Sequence, residues 1–155
     1  MKSSGFDLDR HLFYLLGKAL LVRNRSFEPL IAKHGLTINF WRVLVSLYAQ
    51  GMLSTVKLSD ITLIDRTTLT RTLDKMCELN LVSRSEDIND RRIKLIKLTE
   101  AGERQLEAVM HIGLRHNEWA RRGLTEAEYE VLIGTLKKVI ANLENSDLDS
   151  SLWND

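Results

Sequence analysis

The stretch "DRTTLTRTLDKMCELNLVSRSEDINDRRIKLIKLTEAG", residues 65–102, decides the fold. Asp65 reads as a helix N-cap, and Leu69, Leu73 and Met76 recur at i, i+4 and i+7, the spacing that lays one helical face on a core. Thr67, Arg71, Asp74, Lys75 and Glu78 must then point largely away from that core. Thr67, Thr68, Thr70 and Thr72 crowd the same helix although β-branched side chains lose freedom there, so packing and the cap have to hold it. Asn80 tolerates the left-handed geometry in which helices often end. "LVSRSEDINDRRIKLIKL", residues 81–98, follows as a short strand, a polar tip and a strand carrying Ile93, Leu95 and Leu98 in imperfect alternation, which is a β-hairpin with a charged loop. Thr99 caps a long helix running to about Trp119, with Gly102 tolerated in its first turn.

Upstream, "TVKLSDITL" predicts a helix of about two turns, so that with the segment after Asp65 the order is helix, turn, helix. Leu8, Leu12, Leu15, Leu16, Ala19 and Val22 mark a first amphipathic helix. Pro29, the only proline, predicts a break or kink at 25–28 with a new helix beginning near Ser26. His34–Gly35 is a stop, Thr37 an N-cap, and Ile38, Trp41, Leu44, Val45 and Tyr48 the expected buried face of a second helix ending before Gly51, after which "MLST" is a short apolar piece. Downstream, Thr125 and Glu128 form a capping box ahead of a final helix that would bury Tyr129, Leu132, Ile133, Leu136, Ile140 and Leu143. The apolar stripes at the two ends are too many for one small core. The polar tail is expected to fray, with docking of Leu148, Leu152 and Trp153 on a neighbour as the alternative.

With 155 residues, 44% of them apolar and 28% charged, the chain suits one soluble domain. No apolar run approaches the roughly 20 residues that cross a bilayer, and Asp7, Asp9 and Arg10 interrupt the N-terminus where a signal peptide needs an apolar core, so a cytoplasmic location is expected. Cys77 is the only cysteine, which rules out an intramolecular disulfide and leaves a cysteine-based zinc site short of ligands. The net charge of +1 is unevenly spread: residues 1–54 carry 7 basic and 3 acidic side chains, 55–98 carry 9 and 7, and 99–155 carry 6 and 11. The acidic excess thus lies away from the candidate site. There is no Gly-rich phosphate loop, nucleophile elbow or Ser/His/Asp constellation, so neither an enzyme nor a cofactor is expected.

The order helix, helix, short strand, helix, helix, hairpin, helix, helix resembles the MarR family of winged helix-turn-helix regulators. The resemblance is carried above all by residues 65–102, with Asp90, Arg91 and Arg92 in the wing, and by "HGLTINFWRVL" at 34–44. Asn80 stands where relatives usually have Gly, and Pro29 is a second departure. The resemblance implies a mainly α fold with a small β-wing. Residues 1–36 and 121–155 would be dimerisation helices, 37–98 the DNA-binding lobe, and 99–120 a long helix linking the two. It also implies a homodimer on a pseudo-palindromic double-stranded DNA operator, a repressor role, and a small aromatic or anionic effector between lobe and dimer region.

Independently of the family, an outward face that is polar but not uniformly basic suits major-groove reading. Arg71 can pair with guanine, Thr67 and Thr68 can touch base edges or a thymine methyl, and Lys75 can reach phosphate, with Arg66 and Thr70 as further candidates. Asp74 and Glu78 at the far end favour docking by the N-terminal end. In the wing, Arg91 and Arg92 suit a narrow minor groove or flanking phosphates, Asp90 would fix an arginine within the tip, and Arg84 and Lys94 are secondary phosphate candidates. His11, Trp41, Tyr48, His111 and His116 are candidates for an effector pocket, although aromatics so spaced are more often core. His111 and His116, five apart, do not share a helix face as paired metal ligands would, so no metal is expected. The bland reading of the helix face is a solvated surface. The rival functions are a winged-helix protein-interaction module and a redox regulator acting through Cys77, against which Asp74 and Glu78 stand, since they raise rather than lower a nearby thiol pKa.

Overall fold

The computed structural model describes residues 7–144. A 3-10 turn, Leu8–Arg10, leads into α1 (Leu12–Ala32), followed by α2 (Ile38–Gln50), β1 (Leu53–Ser54), α3 (Thr55–Thr62), α4 (Arg66–Glu78), β2 (Val82–Glu86), β3 (Lys94–Leu98), α5 (Glu100–Ala120) and α6 (Glu126–Glu144). The chain divides into two compact units between His116 and Asn117. No described helix is long and apolar enough to cross a membrane. The tail residues Leu148, Leu152 and Trp153 lie outside the described range.

In the first unit, α2, α3 and α4 pack with a three-stranded antiparallel sheet of order β1-β3-β2. Its register sets Arg84 opposite Ile96 and Glu86 opposite Lys94. Phe27 and Ile31 of α1, Val43, Leu44 and Leu47 of α2, Leu58, Leu69, Leu73, Met76, Ile96, and Leu106 and Val109 of α5 close the core. Local chemistry sets the boundaries. The Phe40 amide donates to Thr37 Oγ1 at 3.2 Å and opens α2. Asn80, at φ +54°, ends α4, with the Leu81 amide donating back to the Met76 carbonyl at 2.8 Å. Gly102 is required rather than tolerated: a Cβ there would collide with the Leu81 carbonyl oxygen, so α5 leaves the sheet at a spacing that admits no side chain.

Three expectations are corrected. α1 does not restart near Ser26 but runs as one helix through Pro29. The proline deprives the Arg25 carbonyl of its amide donor, yet it lies on the exposed face, and the fully buried Phe27 and Ile31 on either side hold both turns to the core. Tyr48 is 58% exposed, because α2 is rolled so that Phe40, Val43 and Leu47 take the core side with Ile38, Trp41 and Leu44. In the second unit the capping box forms, with the Thr125 amide donating to Glu128 Oε2 at 2.7 Å and the Glu128 amide to Thr125 Oγ1 at 3.3 Å. The α6 stripe is not buried, however: Leu132, Ile140 and Leu143 are exposed. The first stripe behaves alike, with Leu8, Leu12, Leu15 and Val22 about half exposed, as are Leu20 and Leu21 beside them.

Candidate nucleic-acid interface

Asp65 starts α4 by accepting the Thr68 amide at 2.9 Å, and the Thr68 hydrogen bonds hold its carboxyl below the usual carboxylate range. Leu69, Leu73 and Met76 are buried beneath, while Arg66, Thr67, Thr70, Arg71, Asp74, Lys75 and Glu78 are exposed. The threonines divide by partner. Thr70 and Thr72 donate to the Arg66 and Thr68 carbonyls at 2.9 and 2.8 Å, one turn back, so their hydroxyls are satisfied within the helix, and Thr72 is buried. Thr67 stands exposed and Thr68 half-buried at the N-terminal end.

The two acidic groups on this face do not stand alone. Asp74 Oδ1 lies 2.7 Å from Arg84 Nη2 on β2, and Glu78 Oε2 is 2.9 Å from Lys75 Nζ. Repulsion of phosphate is thereby muted, and Arg84 and Lys75 are engaged in exposed, exchangeable pairs. Arg66 and Arg71 form no ion pair among the described residues.

The wing tip is closed on itself. Asp87 Oδ1 accepts the Asn89 and Asp90 amides at 2.8 and 3.2 Å, its amide donates to the Ile93 carbonyl at 3.1 Å, and the Ile93 amide donates to the Asp90 carbonyl at 2.9 Å. Asp90 fixes Arg92 in a two-pronged grip, Nε to Oδ1 at 3.0 Å and Nη2 to Oδ2 at 2.9 Å. That grip lowers the carboxyl pKa and raises the guanidinium pKa. Lys94 Nζ pairs with Glu86 at 2.6 Å. Arg91 is left exposed and without an ion-pair partner among the described residues.

The five candidate effector residues do not come together. Phe27 packs against both Trp41 and His116, ring centroids 5.1 Å apart in each case, and His116 Nε2 lies 2.9 Å from Ser26 Oγ. His11 instead caps α1, its Nδ1 accepting the Tyr14 amide at 3.3 Å. Tyr48 opens on a separate groove with Met52, Lys97 and Glu103, and His111 is exposed. The five come from the cap of α1 and from two further helices, α2 and α5, and each faces different neighbours once those helices are packed.

A cleft of about 320 Å³ does form where α1, α2 and the end of α3 meet, and Trp41 is its one member from that set. Its walls are Leu20, Trp41, Val45, Ile61 and Leu63, and it carries two cations, Arg23 and Arg42. Burial and the charge of Arg42 both push the Arg23 pKa down, and neither arginine pairs with a carboxylate among the described residues. Leu63 is 82% exposed and left-handed at φ +55°, a conformation costly for a residue with a Cβ. It stands two residues before the Asp65 cap. Arg23, Arg42 and Leu63 escaped the sequence reading, since nothing in their local pattern joins three separate segments.

Cys77 is half-buried against the core. Among the described residues no group of three His, Cys, Asp or Glu side chains is arranged to hold a metal ion.

The model of the MarR family matches residues 36–94. The transcriptional repressor IacR of Pseudomonas putida is 29% identical over 142 residues, 92% of this chain and 85% of that protein. The repressor NicR of Pseudomonas putida is 25% identical over 146 residues, 94% of this chain and 92% of that protein. Among solved structures, Bordetella bronchiseptica BpsR, whose DNA binding is regulated by 6-hydroxynicotinic acid, superposes with a TM-score of 0.75 at 27% identity, over 83% of this chain and 97% of that one. A mutant of E. coli MarR complexed with operator DNA gives 0.74 at 27% identity, over 83% and 92%.

Proposed function

We propose that the chain, whose residues 36–94 match the model of the MarR family, is a member of that family and a sequence-specific double-stranded DNA-binding regulator of transcription, a cytoplasmic homodimeric repressor released by a small effector, and not an enzyme. The observation that carries this reading is the pairing of two presentations of charge in one lobe. α4 offers Arg66, Thr67, Thr68 and Arg71 at its N-terminal end with its acidic groups already paired, and the closed wing tip offers Arg91. Arg71 reads bases, Lys75 and Arg84 exchange their carboxylate partners for phosphate, and Arg91 enters the minor groove. The exposed stripes of α1 and of α6 are what a second copy would cover, setting two recognition helices on half-sites about one helical turn apart.

The effector reading rests on the cleft. Two half-exposed guanidiniums without carboxylate partners inside apolar walls fit a small aromatic carboxylate, and a volume near 320 Å³ suits a molecule of one or two rings. 6-hydroxynicotinic acid, which regulates DNA binding by BpsR, is of that class. Such a ligand would cover Leu63, whose backbone leads directly into the cap of α4, and so bias the recognition helix.

The test is binding of labelled duplex by anisotropy at several salt concentrations. A regulator binds even random duplex with an affinity that falls steeply with salt, and selection from random duplexes yields a two-fold-related site. A protein-interaction module shows no binding to random duplex at moderate salt.

A further inference from the structure

We propose that Ile88 is a DNA-contacting residue, an apolar wedge that the wing sets against the minor groove beside Arg91; the inference rests on the DNA-binding reading above. Ile88 is 95% exposed, the most exposed of the large apolar side chains described, most of which lie between 38% and 68%. A single surface isoleucine needs no explanation by itself. This one differs in where it is held and in what surrounds it.

The tip that carries it has spent its carboxylates internally. The Asp87 carboxylate accepts the Asn89 and Asp90 amides on either side of the loop apex, Asp90 holds Arg92, and Glu86 holds Lys94. The hydrogen bonds between Asp87 and Ile93 and between Ile93 and Asp90 tie the base of the loop shut. A tip so tied cannot fold Ile88 back onto the protein, and it enters a complex with little ordering left to do. Of its charges, only Arg91 remains a cation without an ion-pair partner among the described residues. Electrostatic attraction alone therefore gives the tip one phosphate-directed group, and what projects beside it is hydrocarbon. Minor-groove proteins combine just these elements, an arginine drawn to the groove's negative potential and an apolar side chain pressed on the sugar walls or into a base step. Flexible pyrimidine–purine steps accept such a wedge most readily.

The experiment uses the full chain and the duplex that the wild-type protein selects from a random pool. Ile88→Ala is expected to weaken binding to that duplex about tenfold per wing, the effect of half-burying the three carbons that Ala lacks. It is expected to leave the salt slope unchanged and to lose preference for pyrimidine–purine steps in the flanks while keeping the preferences of the recognition helix. Arg91→Ala is expected to do the opposite to the slope, lowering it by about one per wing. Thermal stability of Ile88→Ala should match wild type, because the side chain touches little in the free protein. The proposal is overturned if Ile88→Ala keeps both the affinity and the flanking preference of wild type. A wild-type chain that binds no duplex at moderate salt overturns the DNA-binding reading itself, a different outcome from a variant that binds normally.

Discussion

Gly113 on α5 offers a quantitative check on how the cleft wall is built. A Cβ placed there would lie 2.5 Å from both Cη2 and Cζ2 of Trp41, against the roughly 3.5–4.0 Å of a relaxed carbon contact. The indole has no easy retreat: it is nearly buried and meets the Phe27 ring edge-on, at 5.1 Å and 72°. In an open helix Gly→Ala would stabilise by about 1 kcal/mol, whereas forcing a methyl into a filled site costs about 1–3 kcal/mol. Gly113→Ala should therefore lose about 1 kcal/mol net, a fall in Tm of about 2–4 °C for a chain of this size. The decisive arm is the double-mutant cycle with Trp41→Phe, whose smaller ring vacates the colliding atoms. In that background Gly113→Ala should stabilise by about 1 kcal/mol, giving a coupling of about 2 kcal/mol. Urea unfolding of all four proteins at one protomer concentration reads this out. Additivity within about 0.5 kcal/mol would refute the contact between α5 and the cleft wall.

Gly102→Ala should destabilise more than Gly113→Ala, since its obstacle is the Leu81 backbone carbonyl rather than a side chain, and a rise in Tm would contradict the close approach of α5 to the start of the hairpin. His116 has its pKa lowered by burial and by Arg23, so the unfolded chain takes up its proton at a higher pH than the folded one. The stability it contributes is present above its ordinary value of 6.5 and is lost as pH falls through the lower folded value; His116→Gln should flatten that part of the stability–pH curve, and an unchanged slope would sink the assignment. Replacing Arg23 and Arg42 together by Gln should abolish any thermal shift produced by 6-hydroxynicotinate while leaving random-duplex binding intact, and a retained shift would place the ligand elsewhere.

What was legible in the sequence was whatever depends on local periodicity or a local cap. Leu69, Leu73 and Met76 share a face because the helix has 3.6 residues per turn, Asp65, Thr37 and Thr125 accept amides three residues further on, and Asn80 takes the left-handed turn at its own position. The grip of Asp90 on Arg92 spans two residues and was readable for the same reason. The Asp74–Arg84 pair depends on how the hairpin packs against α4, and the Arg23–Arg42–Leu63 cleft on how three helices meet, so neither leaves a trace in one dimension. Tyr48 was misplaced by the roll of α2, a rotation that tells Leu47 from its neighbour and that amphipathic spacing cannot fix when both are apolar. The four threonines divide the same way: Thr70 and Thr72 turn their hydroxyls to the helix's own carbonyls, and Thr67 and Thr68 with Arg71 form the reading end proposed above.

That reading end is the central claim, and the most direct measurement compares wild type with Arg71→Ala on the selected duplex and on a scrambled duplex of equal length and salt. The account expects Arg71→Ala to lose about 1–3 kcal/mol of discrimination between the two while retaining salt-dependent binding to both. Discrimination equal to that of wild type would contradict it.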